Sequence, residues 1–180
     1  MGSAMKTLLI LRHAQAVHFG DTADHDRPLT DKGIEDAKRI GRLFRGIQPN
    51  QILSSTAARA AATADQVAEV GNLTAKVQLL RRLYESDLPE HFEILRNVDN
   101  EADCVLIVGH NPTFERLASA LIHRPLTLKT GALAIVTIPI DQWESLSESA
   151  PSSLTGLFCP AMLKKRTEGQ DWDKRAGRIG

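Results

Sequence analysis

Four apolar runs of strand length, each followed by a turn and a helix-like segment, constrain this chain more than any other feature. Lys6 to Leu11 fits a buried strand, Gln51 to Ser54 a short second one, Ala75 to Leu80 a third, and Asp103 to Val108 the strongest. Between them, Thr30 is placed to cap a helix, with Leu29 and Ile34 as its hydrophobic staple. Ile34, Ala37, Ile40 and Phe44 keep one face of that helix apolar until Gly46. Thr56 is placed to cap an Ala-rich helix over Ala57 to Val70, ended by Gly71. Leu88 to Val98 carries Pro89 in its first turn and Phe92, Leu95 and Val98 on one face. Asn111 and Pro112 open a last helix that ends near His123. Ala132 to Ile140 and Leu154 to Cys159 are further strands, with only the polar stretch Asp141 to Ser153 between them. Strands alternating with helices predict a three-layer α/β/α sandwich with a largely parallel sheet. The helix-free connection adds an antiparallel strand near one end.

A chain of 180 residues suits one domain, here assigned to residues 5–164. Residues 1–4 read as an expression scar before Met5, and the charged stretch 165–180 as a mobile tail. Lys plus Arg and Asp plus Glu are each 22, so the formal charge is zero. Such a chain has no broad field for nucleic acid or an anionic membrane; an anion site must be built from a few convergent groups. The apolar run from Thr7 to Leu11 is too short for a secretory signal, and no run reaches membrane-spanning length. A soluble cytoplasmic protein is expected. Cys104 and Cys159 sit in apolar stretches as buried free thiols, without Cys/His metal spacing. Neither a Walker A loop nor G-x-G-x-x-G is present, so a nucleotide-binding fold finds no support, and no cofactor is expected.

In an open parallel sheet, ligands bind beyond the carboxyl ends of the strands. Arg12 and His13 end the first strand, Arg59 lies in the first turn of the helix after the second, and His110 ends the Asp103–Val108 strand. Topology alone therefore brings two imidazoles and two guanidiniums to one edge. Strand alternation starts Arg12 and His13 on opposite faces, so the chain must leave strand geometry there for both to meet one ligand. The set suits phosphoryl transfer. A neutral imidazole can attack phosphorus, and fixed arginine forks stabilise the charge that spreads over the equatorial oxygens. One imidazole must be neutral to attack, while the other can be protonated beside the phosphate.

Leu11-Arg12-His13-Ala14, Arg59 within Ser54-Ser55-Thr56-Ala57-Ala58-Arg59-Ala60-Ala61-Ala62-Thr63, and Val108-Gly109-His110-Asn111-Pro112 resemble three motifs of the histidine phosphatase (phosphoglycerate mutase-like) superfamily. Asp26-Arg27-Pro28-Leu29-Thr30 and the small size are most similar to its SixA-type phosphohistidine phosphatases. The resemblance spans roughly Lys6 to Ile140. It implies that His13 is the phosphorylated nucleophile and that Arg12, Arg59 and His110 hold the phosphate. Ala14 replaces the usual glycine, but its carbonyl can still accept from His13 Nδ1 and leave Nε2 to attack. Larger members place a glutamate acid after the third strand; Glu85 is the nearest match and Asp87 its competitor, and imidazole as leaving group needs no strong acid.

The expected function is metal-independent hydrolysis of phosphohistidine or phosphate monoesters through an intermediate on His13. The segment Leu80 to Leu88 is short, so an open site suited to a phosphorylated protein is expected. Alternatives are a small-molecule phosphatase or mutase of the same superfamily, or a non-catalytic phosphate-binding module. His18, Asp21, Asp24 and His25 match no metal-ligand spacing and are expected to form a solvated rim. His91 and His123 are expected at the surface.

Overall fold

The computed structural model describes residues 5–18, 20 and 22–163; the expectations for 1–4, Asp21 and 165–180 fall outside them. Among the described residues, six strands form one sheet: β1 Lys6–Arg12, β2 Gln51–Ser55, β3 Val77–Leu80, β4 Cys104–Gly109, β5 Leu133–Ile138 and β6 Ser153–Phe158. Their order is β3-β2-β4-β1-β5-β6. β3, β2, β4 and β1 run parallel, β5 lies antiparallel to β1, and β6 antiparallel to β5. The antiparallel β5–β6 pair at one end of the sheet is the arrangement expected from the helix-free connection.

β1 shows why a central strand reads as an unbroken apolar run. Leu8, Leu9, Ile10 and Leu11 are all fully buried. Leu8 and Ile10 pack with Phe92, Leu95, Phe114 and Leu117 on one face, while Leu9 and Leu11 pack with Ile40, Ala60, Ala64 and Val67 on the other. The first layer is α4 (Leu88–Arg96) and α5 (Thr113–Leu121); the second is α1 (Asp31–Gly41) and α2 (Ala58–Gly71). A short helix, α3 (Arg82–Glu85), follows β3. Among the described residues, no helix is long and apolar enough to cross a membrane.

Thr30 caps α1 as expected, its hydroxyl accepting from Gly33 N–H at 3.0 Å. Phe44 falls in a 3₁₀ turn, Arg42–Gly46, that extends α1. The other expected caps give way to tertiary partners. Thr56 Oγ1 meets His25 Nε2 at 3.0 Å, and Ser55 Oγ accepts the Ala57 N–H instead. Asn111 sends its amide to the Leu128 carbonyl rather than to α5. His91, expected at the surface, is buried because α4 turns its ring edge-on to Phe114, with Nδ1 2.8 Å from the Asp87 carbonyl. His123 is exposed. Both thiols are free and half-buried, and burial pushes Cys104 up to about 11.

Candidate active site

β1 and β4 are parallel neighbours with Arg12 in register with Gly109, so the residues after them emerge side by side. His13 leaves the strand: its N–H donates to the Gly109 carbonyl at 2.9 Å, and its carbonyl accepts from Gly131 N–H at 3.0 Å. That departure lets Arg12 and His13 share one cleft. The His13 and His110 ring centroids lie 5.0 Å apart. Arg12, His13, Arg59 and His110 all line a cleft of about 540 Å³, together with Gln15, His18, Asp24, Arg27 and Asn111. The four residues that topology placed on one edge are brought together.

The protonation of His13 is fixed by its neighbour. Nδ1 lies 2.8 Å from the Ala14 carbonyl, which can only accept, so Nδ1 carries the proton and Nε2 keeps its lone pair. Arg59 donates its Nε–H to that lone pair. Ala14 is held in turn from α2: its N–H donates to Thr63 Oγ1 at 3.0 Å, and Thr63 donates to the Arg59 carbonyl at 2.7 Å. Ala14 is fully buried and is not among the residues with positive φ, so alanine there imposes no backbone strain. Burial lowers the His13 pKa to about 4, with Arg59, Arg12 and Arg27 reinforcing it against the Ala14 hydrogen bond. The imidazole is therefore neutral at pH 7.

Arg59 is 5% exposed and owes its orientation to Asp24. One Nη donates to the Asp24 carbonyl and the other to Asp24 Oδ2, at 3.0 Å. Asp24 also accepts from the Tyr84 hydroxyl at 2.9 Å and pairs with Arg27 through Oδ1 at 2.7 Å. Burial opposes ionisation of Asp24, but the bonds from Tyr84, Arg59 and Arg27 outweigh it and hold the carboxyl at about 2. Asp24 was expected on a solvated rim and instead anchors two guanidiniums. Sequence reasoning missed the anchoring of Arg59 by Asp24 and the contact of Tyr84 with that carboxylate. The only available signal was an acid three residues before Arg27, and tyrosine gave none.

His110 Nε2 lies 2.8 Å from Ser55 Oγ. Burial, then His13 and Arg59, push its pKa down to about 3. Desolvation first, then His13 and Arg59, thus oppose a charge on His110; the expectation of a protonated second imidazole concerned a bound phosphate. Arg12 donates from Nη1 to the Leu128 carbonyl at 2.8 Å. Among the described residues, Arg12 Nε and His110 Nδ1 are buried without hydrogen-bond partners. Both belong to residues that line the cleft, where a tetrahedral anion would satisfy them.

Glu85 stands apart. It is exposed, pairs with Arg81 at 2.7 Å and is not among the residues lining the cleft. Asp87 caps α4 by accepting from Glu90 N–H at 3.3 Å. Among the described residues that line the cleft, Asp24 is the one carboxylic acid, and its three partners keep it ionised. Among the described residues, no group of three His, Cys, Asp or Glu side chains is placed to hold a metal ion.

Fold and cleft define an α/β protein with a cleft lined by arginines and histidines at the carboxyl edge of its parallel strands. The sequence profile of the Histidine phosphatase superfamily (branch 1) matches residues 8–96. An uncharacterized protein of Mycobacterium tuberculosis is 35% identical over 113 residues, which are 62% of this chain and 69% of that protein. A structure from Nakamurella multipartitia designated phosphohistidine phosphatase SixA superposes with a TM-score of 0.76 at 26% identity, covering 89% of this chain and 99% of that one. The protein histidine phosphatase SixA complexed with tungstate gives 0.74 at 26% identity, covering 88% and 99%. The chain belongs to the histidine phosphatase superfamily. Phosphatase activity is what that membership supports.

Proposed function

We propose that this phosphatase hydrolyses phosphohistidine, with phosphate monoesters as slower substrates, through a covalent intermediate on His13 and without a metal ion. One observation carries the reading: the His13 tautomer leaves Nε2 unprotonated at the cleft, within reach of the Arg59 guanidinium. Phosphoryl oxygens would accept from Arg12, Arg59 and His110, and Arg59 would pass its Nε–H from His13 to the incoming anion. Nε2 then attacks phosphorus in line with the scissile P–N bond. The P–N electron pair returns to the substrate imidazole, which is released after taking a proton from solvent. Water next attacks the phosphoryl group, the bond to His13 Nε2 breaks, a proton is lost to solvent and inorganic phosphate departs.

The carboxylates support a substrate of this kind. Among the described residues, Glu85 is paired to Arg81 and Asp24 is held ionised, so neither is suited to protonate an alkoxide leaving group. Imidazole departs without such help. The only helix between β3 and α4 is the four-residue α3, so little chain is available to cover the cleft from that side, which suits a phosphorylated protein.

The test is a His13→Ala protein assayed on a phosphohistidine peptide, beside rapid alkaline quench of the native enzyme with labelled substrate. Loss of turnover and an acid-labile, alkali-stable label on His13 are expected. Undiminished hydrolysis by the variant would remove the proposal. Isomerisation of a phosphoglycerate faster than its hydrolysis would instead favour a mutase.

A further inference from the structure

His110 has two ring nitrogens with opposite surroundings. Nε2 faces Ser55 Oγ at 2.8 Å, whereas Nδ1 is buried without a partner on a residue that lines the cleft. Ser55 is fully buried, so its hydroxyl proton cannot be given to solvent. The same oxygen already accepts the Ala57 N–H at 3.2 Å. Among the described residues, His110 Nε2 is the only acceptor within reach of the Ser55 hydroxyl. A buried hydroxyl that leaves its proton unshared loses a hydrogen bond. The proton therefore belongs between Ser55 Oγ and His110 Nε2, donated by the serine.

The structure assigns Ser55 as a positioning residue that holds neutral His110 with its own proton on Nδ1, as a ready donor to the phosphoryl group. The benefit of that donor rests on the phosphatase reading above, but the tautomer itself does not. A neutral Nδ1–H can bond a phosphoryl oxygen without adding a third positive charge beside Arg12 and Arg59. It also needs no proton uptake when the anion arrives, so the donor is in place before charge develops. His13 and His110 then share one tautomer for opposite ends. In His13 a carbonyl holds the Nδ1 proton and frees Nε2 to attack; in His110 a hydroxyl occupies Nε2 and leaves the Nδ1 proton to bind.

The test uses the full chain with ¹⁵N-labelled imidazoles at neutral pH, with the His110 signals assigned by their loss in His110→Gln. A protonated Nδ1 and an unprotonated Nε2 are expected in the native protein. Ser55→Ala should shift His110 toward the other tautomer and weaken binding of inorganic vanadate about 10-fold, roughly the loss of one good hydrogen bond. A native His110 protonated at Nε2 overturns the assignment, and this spectrum decides even where Ser55→Ala folds poorly. A folded Ser55→Ala with unchanged tautomer and vanadate affinity also overturns it. Absence of label on His13 in the alkaline-quench experiment would sink the phosphatase mechanism while leaving the tautomer intact.

Discussion

Arg59 donates its Nε–H to His13 Nε2 across 3.3 Å, so a guanidinium rests on the nitrogen from which the imidazole can attack. Both groups owe their places to α2, through the Thr63 link to Ala14 and the Arg59 carbonyl. The arrangement makes the cation a guide for the anion, because a phosphoryl oxygen can take over the same N–H as it approaches.

Removal of that guide should act on turnover. Arg59→Ala is expected to lower kcat by about 10²–10³-fold, the usual loss for one donor that meets developing charge. Arg59→Lys should recover little of it, since an ammonium cannot bridge His13 and Asp24 as the planar fork does. Steady-state kinetics on a phosphohistidine peptide checks both.

Asp24 should matter through the arginines it holds. Asp24→Ala leaves the buried Arg59 without its carboxylate and frees Arg27 from the ion pair at Oδ1. A stability loss of about 1–3 kcal/mol is expected, below the full value for a buried pair because Asp24 is about a third exposed. Chemical denaturation measures it, and kcat/KM should fall at the same time. Unchanged stability and unchanged kinetics together would show that Asp24 anchors nothing.

The two imidazoles predict a pH dependence with a defined sign. His13 titrates at about 4 and His110 at about 3 in the folded protein, against 6.5 for an ordinary histidine. Between those values the unfolded chain binds more protons than the folded one, so stability rises with pH there and is lost as pH falls from about 6.5 toward 4. Asp24 acts in the same sense at lower pH, as its carboxyl passes from 3.8 toward about 2. Proton NMR titration of His13 should place its midpoint below about 5; a midpoint near 6.5 would contradict the burial that lowers it.

Glu85→Gln separates an acid from a bystander. Its exposed carboxylate contacts Arg81, so kcat on a phosphohistidine peptide should change less than about 2-fold, within the range of ordinary surface substitutions. A loss of two orders of magnitude or more would place Glu85 in the chemistry.

Gly33 marks where α1 meets the chain that follows His13. A Cβ there would lie 2.0 Å from the Gln15 carbonyl oxygen, the same oxygen that accepts the Thr30 N–H at 2.9 Å. Gly33→Ala must push backbone against backbone and is expected to destabilise the fold by about 1–3 kcal/mol. Thermal denaturation would show it, and a wild-type melting temperature would deny the close approach.

The order of strands and helices was legible because side-chain periodicity and capping are local properties. The same locality placed Arg12, His13 and His110 at strand ends and Arg59 in the first turn of the helix that follows one, since parallel strands carry their carboxyl ends to one edge. It failed where partners come from distant loops. Thr56 and Asn111 are good caps by residue type, yet each bonds a remote segment, and His91 is buried by α5 rather than exposed by its own helix. Asp24 reaches Arg59 and Tyr84 across 35 and 60 positions of sequence, a distance no pattern in either segment encodes. The sequence alone determined which elements form and which ends of them meet. Only the tertiary structure decided which nitrogen of each imidazole carries the proton and which carboxylate holds the arginine, because hydrogen bonds depend on the path of loops that packing fixes to within an ångström.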